Sequence, residues 1–98
     1  MTINRQPNGT ALTLALEGRL DTTTAPELEQ ELKTCLDGVE ELTLDFSKLD
    51  YISSAGLRVL LSAHKTMSRK GGMKVIHVNE IVQEVFEVTG FSDILVIE

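Results

Sequence analysis

The 98-residue chain sets 9 Lys and Arg against 15 Asp and Glu, a formal charge of -6, with 42% hydrophobic residues. That composition suits one globular domain and excludes a disordered tail, and the acidity opposes any phosphate backbone, so no nucleic-acid partner is expected. The single cysteine, Cys35, excludes an internal disulfide and a cysteine-based zinc site. Apolar runs are too short for a membrane span, and Met1 to Pro7 holds no signal-peptide core. The expected setting is the cytoplasm, without membrane insertion.

Hydrophobic periodicity switches repeatedly between two and 3.6, the mark of alternating strands and helices. Met1 to Gln6 can pair with the next strand through the turn signal Pro7-Asn8-Gly9. Thr10 to Glu17 alternates, with Leu12, Leu14 and Leu16 on one face. Gly18 to Asp21 leaves that strand. Thr24, Pro26 and Glu27 then announce a helix through a capping hydroxyl, an early proline and an acid at the third helical position. Leu28, Leu32, Cys35 and Leu36 form its apolar face and Gly38 its stop.

Leu42, Leu44 and Phe46 give the next strand, and Ser47 to Asp50 reads as a short polar connection. Tyr51-Ile52 either extends the sheet or enters the turn that follows. Leu57 to Lys70 is a helix with Leu57, Leu60, Leu61, His64 and Met67 as its stripe, ended by Gly71-Gly72. Met73 to Val78 is a strand. Asn79 caps a short helix that buries Val82, Val85 and Phe86 and stops at Gly90. Ile94 to Ile97 reads as a last buried strand. The order β-β-α-β-α-β-α-β predicts a mixed, mostly parallel sheet with helices packed mainly on one face. Leu12, Leu14, Leu42, Leu44, Phe46, Leu60 and Val75 are its expected core.

No enzymatic motif is present. His64 and His77 have no metal-ligand spacing to a cysteine or carboxylate, and His64 reads as a structural or half-exposed residue. The Ser-rich turn lacks the frame of a nucleophile elbow. Gly71-Gly72 follows a helix instead of opening one, so it is no phosphate cradle. No catalytic residue, metal or cofactor is therefore assigned. The segment Asp50-Tyr51-Ile52-Ser53-Ser54-Ala55-Gly56-Leu57 stands apart, with two hydroxyls and two small residues at a strand-to-helix turn. Either a serine caps the helix, or a slim exposed hydroxyl is offered to another protein's active site. Both readings stand on residue chemistry alone.

The run from Leu42 to Leu61, LTLDFSKLDYISSAGLRVLL, resembles the signature of the STAS family, and within it the stand-alone bacterial anti-sigma factor antagonists. The upstream EGRLD (Glu17 to Asp21) and the late VFEVTGF (Val85 to Phe91) resemble the same family. The resemblance runs through nearly the whole chain, so a STAS domain over residues 1–98 is expected. It implies a non-enzymatic protein switch. The unmodified form would bind an anti-sigma factor that is also a serine/threonine kinase, and so release the sigma factor. Phosphorylation at the start of the second helix would end binding, and a phosphatase of the metal-dependent serine class would restore it.

Aligned on Gly56 and Leu57, the acceptor position falls on Ser54. Ser53, the second choice, stands where the family often has Asp. The implied partner surface is Asp21, Thr22, Thr23, Ser53, Ser54, Ala55, Gly56 and Leu57. For Asp21 an Asx turn ahead of the first helix is the structural alternative. Many family members carry a further C-terminal helix beyond the strand at Ile94 to Ile97. A different implication of the same resemblance is a STAS subunit of a transport assembly, such as a lipid-transport ATPase complex, in which no phosphate is cycled. A monomer is the expected oligomeric state.

Overall fold

In the computed structural model, which describes Met1–Glu98, the elements are β1 (Thr2–Asn8), β2 (Ala11–Leu20), α1 (Ala25–Cys35), β3 (Glu41–Ile52), α2 (Ser54–Met67), β4 (Met73–Ile76), α3 (Glu80–Thr89), a 3-10 turn (Phe91–Asp93) and β5 (Val96–Ile97). The sheet has the order β1-β2-β3-β4-β5. Only β1 is antiparallel to its neighbour; β2, β3, β4 and β5 run parallel. The mixed, mostly parallel sheet expected from the sequence is therefore present.

Register explains why one face is buried. Leu12 lies opposite Leu42 and Leu14 opposite Leu44, and these pair in turn with Met73 and Val75. Side chains alternate along a strand, so all of them point to the same side. All three helices close over that side. Leu28 and Leu32 of α1, Leu60 and Met67 of α2, and Val82 and Phe86 of α3 join the strand residues in one hydrophobic core. The Phe46 and Phe86 rings tie β3 to α3 with centroids 6.4 Å apart. Each fully buried Leu or Phe contributes about 1.5–3 kcal/mol. All seven residues expected in the core are buried. The other face carries Thr13, Ala15, Thr43, Asp45 and Lys74, is left uncovered by the helices, and is correspondingly polar.

The structure corrects the sequence reading at several element ends. The polar connection read at Ser47 to Asp50 is strand: β3 continues through it to Ile52. Pairing with β2 shifts register between Ala15 and Glu17 and again between Gly18 and Arg19. Each bulge adds a residue and turns the next side chain over, so strict alternation fails while the ladder continues. Nor does Gly18 leave the strand: β2 runs to Leu20, which pairs with Ile52 and returns to the buried face. At the first turn, β1 extends to Asn8, and Gly9-Thr10 makes the reversal with Gly9 at φ +65°. Pro7 is tolerated because β1 is an edge strand.

Met73 to Val78 is cut to Met73–Ile76, because His77 takes a left-handed φ of 58° and ends the strand. The last strand is not the buried run read at Ile94 to Ile97. It is the pair Val96–Ile97 on the sheet edge, with Leu95 buried and Ile94 and Val96 exposed. No helix is long and apolar enough to cross a membrane.

Candidate functional site

The C-terminal ends of β2 and β3 lie side by side, with Leu20 opposite Ile52. The two segments that follow, Asp21–Thr24 and Ser53–Ser54, therefore begin together. The Ser53 backbone N–H donates to the Leu20 carbonyl at 2.9 Å and pins one to the other. Each leads into a helix N-terminus. The structure thus gathers the Asp21 loop and the serine turn at one end of the parallel strands, where α/β folds place their sites.

The Asp21 loop is held by its own side chains. Asp21 Oδ1 accepts from the Thr23 N–H at 3.0 Å, the Thr23 hydroxyl at 2.7 Å and the Thr24 N–H at 3.2 Å. This is the Asx turn considered from sequence. The Thr23 hydroxyl, opposed by desolvation and helped by the Thr23 and Thr24 N–H groups, holds the Asp21 carboxyl below the usual carboxylate range. Thr24 does not cap α1 through its side chain, as its sequence position suggested. Its hydroxyl faces backward, accepting from the Asp21 N–H at 2.8 Å and donating to the Arg19 carbonyl at 2.7 Å. The loop's own demand for hydrogen bonds outcompetes the helix end.

The serine turn is built differently. Ser53 is extended, with φ -104° and ψ 176°, and stands at the N-cap of α2, but its side chain makes no capping bond. Its hydroxyl is closed off from solvent and has no partner. Ser54, the first residue of α2, is exposed. The capping reading is therefore met by neither serine's side chain. The first turn of α2 contains no acidic residue, and the first N–H groups of any helix lack intrahelical acceptors.

Gly56 explains the small residues. A Cβ there would stand 2.7 Å from Leu20 Cγ and 2.9 Å from Ile52 Cγ1. Only glycine lets α2 settle this closely onto the ends of β2 and β3. Gly56 and Leu57 are buried, so they seat the helix from beneath. Ala55, Asp21 and Ser53 are half-buried, while Thr22, Thr23 and Ser54 face outward.

Three residues that the sequence left unassigned complete the end. The Arg19 guanidinium lies 4.4 Å from the centre of the Tyr51 ring, and its Nε is 3.7 Å from Asp21 Oδ2. Arg19 and Tyr51 are register partners, a pairing hidden in the sequence by the bulges between them. Arg58 is exposed one helical turn beyond Ser54 and makes no ion pair; the i,i+4 spacing was its only signal.

Elsewhere, His64 is half-buried. His77 pairs with Asp45 at 2.9 Å on the uncovered sheet face. Desolvation pushes the Asp45 carboxyl up, but the His77 and Ser47 hydrogen bonds outweigh it and leave it below its usual value. Burial pushes the Cys35 thiol up, away from a reactive thiolate. No three His, Cys, Asp or Glu side chains are gathered in a way that could hold a metal ion.

Comparison with known proteins meets this geometry. Residues 3–97 match the family model described as Mlab, STAS domain. Over 85 residues the chain is 40% identical to the candidate anti-sigma factor antagonist BtrV of Bordetella bronchiseptica, covering 85% of this chain and 73% of that protein. A crystal structure of an anti-sigma factor antagonist from Mycobacterium paratuberculosis superimposes with a TM-score of 0.88 at 22% identity, covering 98% of this chain and 83% of the other. The Bacillus cell fate determinant SpoIIAA in its phosphorylated form superimposes with a TM-score of 0.76 at 15% identity, covering 99% and 91%. The chain belongs to the STAS-domain family, among relatives named as anti-sigma factor antagonists.

Proposed function

We propose that this chain is an anti-sigma factor antagonist that works by phosphorylation-controlled docking and not by catalysis. Unmodified, it binds an anti-sigma factor that is a serine/threonine kinase, and the sigma factor is released. The kinase then transfers the γ-phosphoryl group of ATP to Ser54 Oγ; the hydroxyl proton is lost and ADP departs. A metal-dependent serine phosphatase hydrolyses the ester and restores the binding form.

The observation that carries the choice of acceptor is the contrast in exposure. Ser54 stands open at the head of α2, whereas the Ser53 hydroxyl is shut away from solvent. A kinase needs an oxygen that can reach its nucleotide. A relative of the same fold solved in a phosphorylated form supports the reading. Asp21, Thr22, Thr23, Ala55 and the Ser53 backbone frame the acceptor, and Gly56 and Leu57 hold it in place.

The switch follows from charge. A phosphate on Ser54 adds roughly -1.5 to -2 charges. In the free protein it meets the N-terminus of α2, which favours it by about 0.3–1 kcal/mol, and no carboxylate from that helix's first turn opposes it. Arg58 lies within i,i+4 reach. The fold is therefore kept. In a protein interface the same group must be desolvated where only a hydroxyl fitted, against a partner surface shaped for that hydroxyl. A loss of about 3 kcal/mol there weakens binding by roughly two decades.

The test is phosphate incorporation from ATP in the presence of the cognate kinase. Ser54→Ala should take up none and stay bound, while Ser53→Ala should be labelled to one phosphate per chain. Full labelling of Ser54→Ala overturns the acceptor assignment. A subunit of a transport assembly would hold the same turn in constant contact, and neither variant nor wild type would take up phosphate.

A further inference from the structure

The large apolar side chains that remain exposed are not scattered. Ile81, Val88, Ile94 and Val96 all fall on α3 and the chain that follows it. Such clustering marks a contact surface more often than isolated exposure does.

Helical spacing organises this surface. Ile81, Val85 and Val88 stand at i, i+4 and i+7 and form one stripe along α3; Ile81 and Val88 are 59% and 78% exposed, and Val85 is half-buried. One residue around the helix, about 100° away, Glu80, Glu84 and Glu87 form a parallel ridge. One residue around the other way, Val82 and Phe86 enter the core. The apolar stripe thus lies between the core contact and a line of carboxylates. None of those three glutamates makes an ion pair. No Lys, Arg or His occurs between Glu80 and Glu98.

We infer that α3 is a second docking surface, whose occupant is a basic amphipathic helix of a partner protein. An aliphatic stripe two turns long fits the i, i+3/i+4, i+7 side chains of another helix. The unpaired glutamate ridge supplies the flank that Lys or Arg would meet, setting orientation and partner choice. A second copy of this chain is a poor occupant, because its α3 offers the same glutamates and no Lys or Arg to meet them. An anionic membrane is opposed by the same ridge. The stripe lies on α3, not on the α2 turn that carries Ser54, so this contact persists in both phosphorylation states and holds a partner through the cycle. It does not rest on the acceptor assignment.

The full chain, 15N-labelled, is titrated with a synthetic 18-residue helical peptide bearing Leu at i, i+4, i+7 and Lys along one flank. Two further peptides serve as controls: the same composition scrambled, and the same stripe with Glu replacing Lys. Saturable shifts centred on the amides of Glu80–Thr89 are expected. Val88→Asp, and separately Glu84→Lys with Glu87→Lys, should each weaken binding at least tenfold. Ser54→Asp should leave it unchanged. Val88→Asp should melt near the wild-type temperature, so its effect is not unfolding. The inference is overturned if the scrambled or Glu-bearing peptide binds as tightly, if the shifts lie around Ser54 or on the uncovered sheet face, or if sedimentation shows a dimer that Val88→Asp dissociates.

Discussion

The two loops at the end of β2 and β3 are neighbours with opposite designs. Both leave a parallel strand and enter a helix, and a single backbone hydrogen bond joins them. In Asp21–Thr24 the side-chain oxygens of Asp21, Thr23 and Thr24 are occupied within the loop or on the Arg19 carbonyl. In Ser53–Ser54 no hydroxyl caps the helix; one is buried without a partner and one faces solvent. The first loop uses its polar groups for stability, and the second leaves the Ser54 hydroxyl open to solvent. An open hydroxyl can be held in one place without its own hydrogen bonds only if its surroundings are rigid, and the neighbouring loop and the tight seat at Gly56 provide that.

Substitutions can break this division of labour. The largest effect on the fold is expected at the seat. Gly56→Ala forces a methyl group against Leu20 and Ile52 and should cost about 1–3 kcal/mol, as overpacking does. Chemical denaturation measures it, and an unchanged midpoint would show that α2 is not held by this close approach. Next is Thr24→Val, which keeps the side-chain volume but removes the two short bonds of the Thr24 hydroxyl. A loss of about 1–2 kcal/mol is expected, measured by the same denaturation.

Acid sharpens the comparison further. The Asp21 carboxyl is held down in the folded state, so its contribution is present above the unfolded carboxylate value of about 4 and fades as pH falls through the lower folded value. Asp21→Asn should lower the melting temperature at pH 7 and flatten its decline as pH falls below about 4. A decline as steep as in wild type would assign the acid response to other groups, Asp45 foremost. The smallest effect is expected at Ser53. Ser53→Ala removes a hydroxyl that makes no bond, so stability should stay within about 0.5 kcal/mol or rise slightly. A loss above 1 kcal/mol would mean that the hydroxyl caps α2 after all.

The order of strands and helices was legible because Leu12/Leu14/Leu16, Leu42/Leu44/Phe46 and the α2 stripe each keep a clean period. What escaped were places where tertiary pairing overrides local pattern. The bulges put an extra β3 residue against β2 at two places and break the alternation of β3, so Ser47 to Asp50 looked like a connection although it is strand. Thr24 and Ser53 both occupy cap positions, yet Thr24 is drawn back to the Arg19 carbonyl and the Ser53 hydroxyl is turned inward. Composition cannot reveal which way a hydroxyl turns. Ile94 to Ile97 is apolar throughout, but sequence alone does not tell an edge from an interior strand. At the candidate site, Asp21 and the serine turn could be named from a motif, while the stacking of Arg19 on Tyr51 depended on register.

The central claim is that a phosphate on Ser54 abolishes docking while leaving the fold intact. Its most direct test is made on one preparation of the protein, phosphorylated by the cognate kinase, confirmed by mass spectrometry and compared with the unmodified form. Affinity for the kinase and melting temperature are measured on both. The account predicts that the phosphorylated form binds at least 100-fold more weakly and melts within about 2 °C of the unmodified protein. Equal affinity for the two forms, or a phosphorylated protein that binds weakly because it has unfolded, would contradict it.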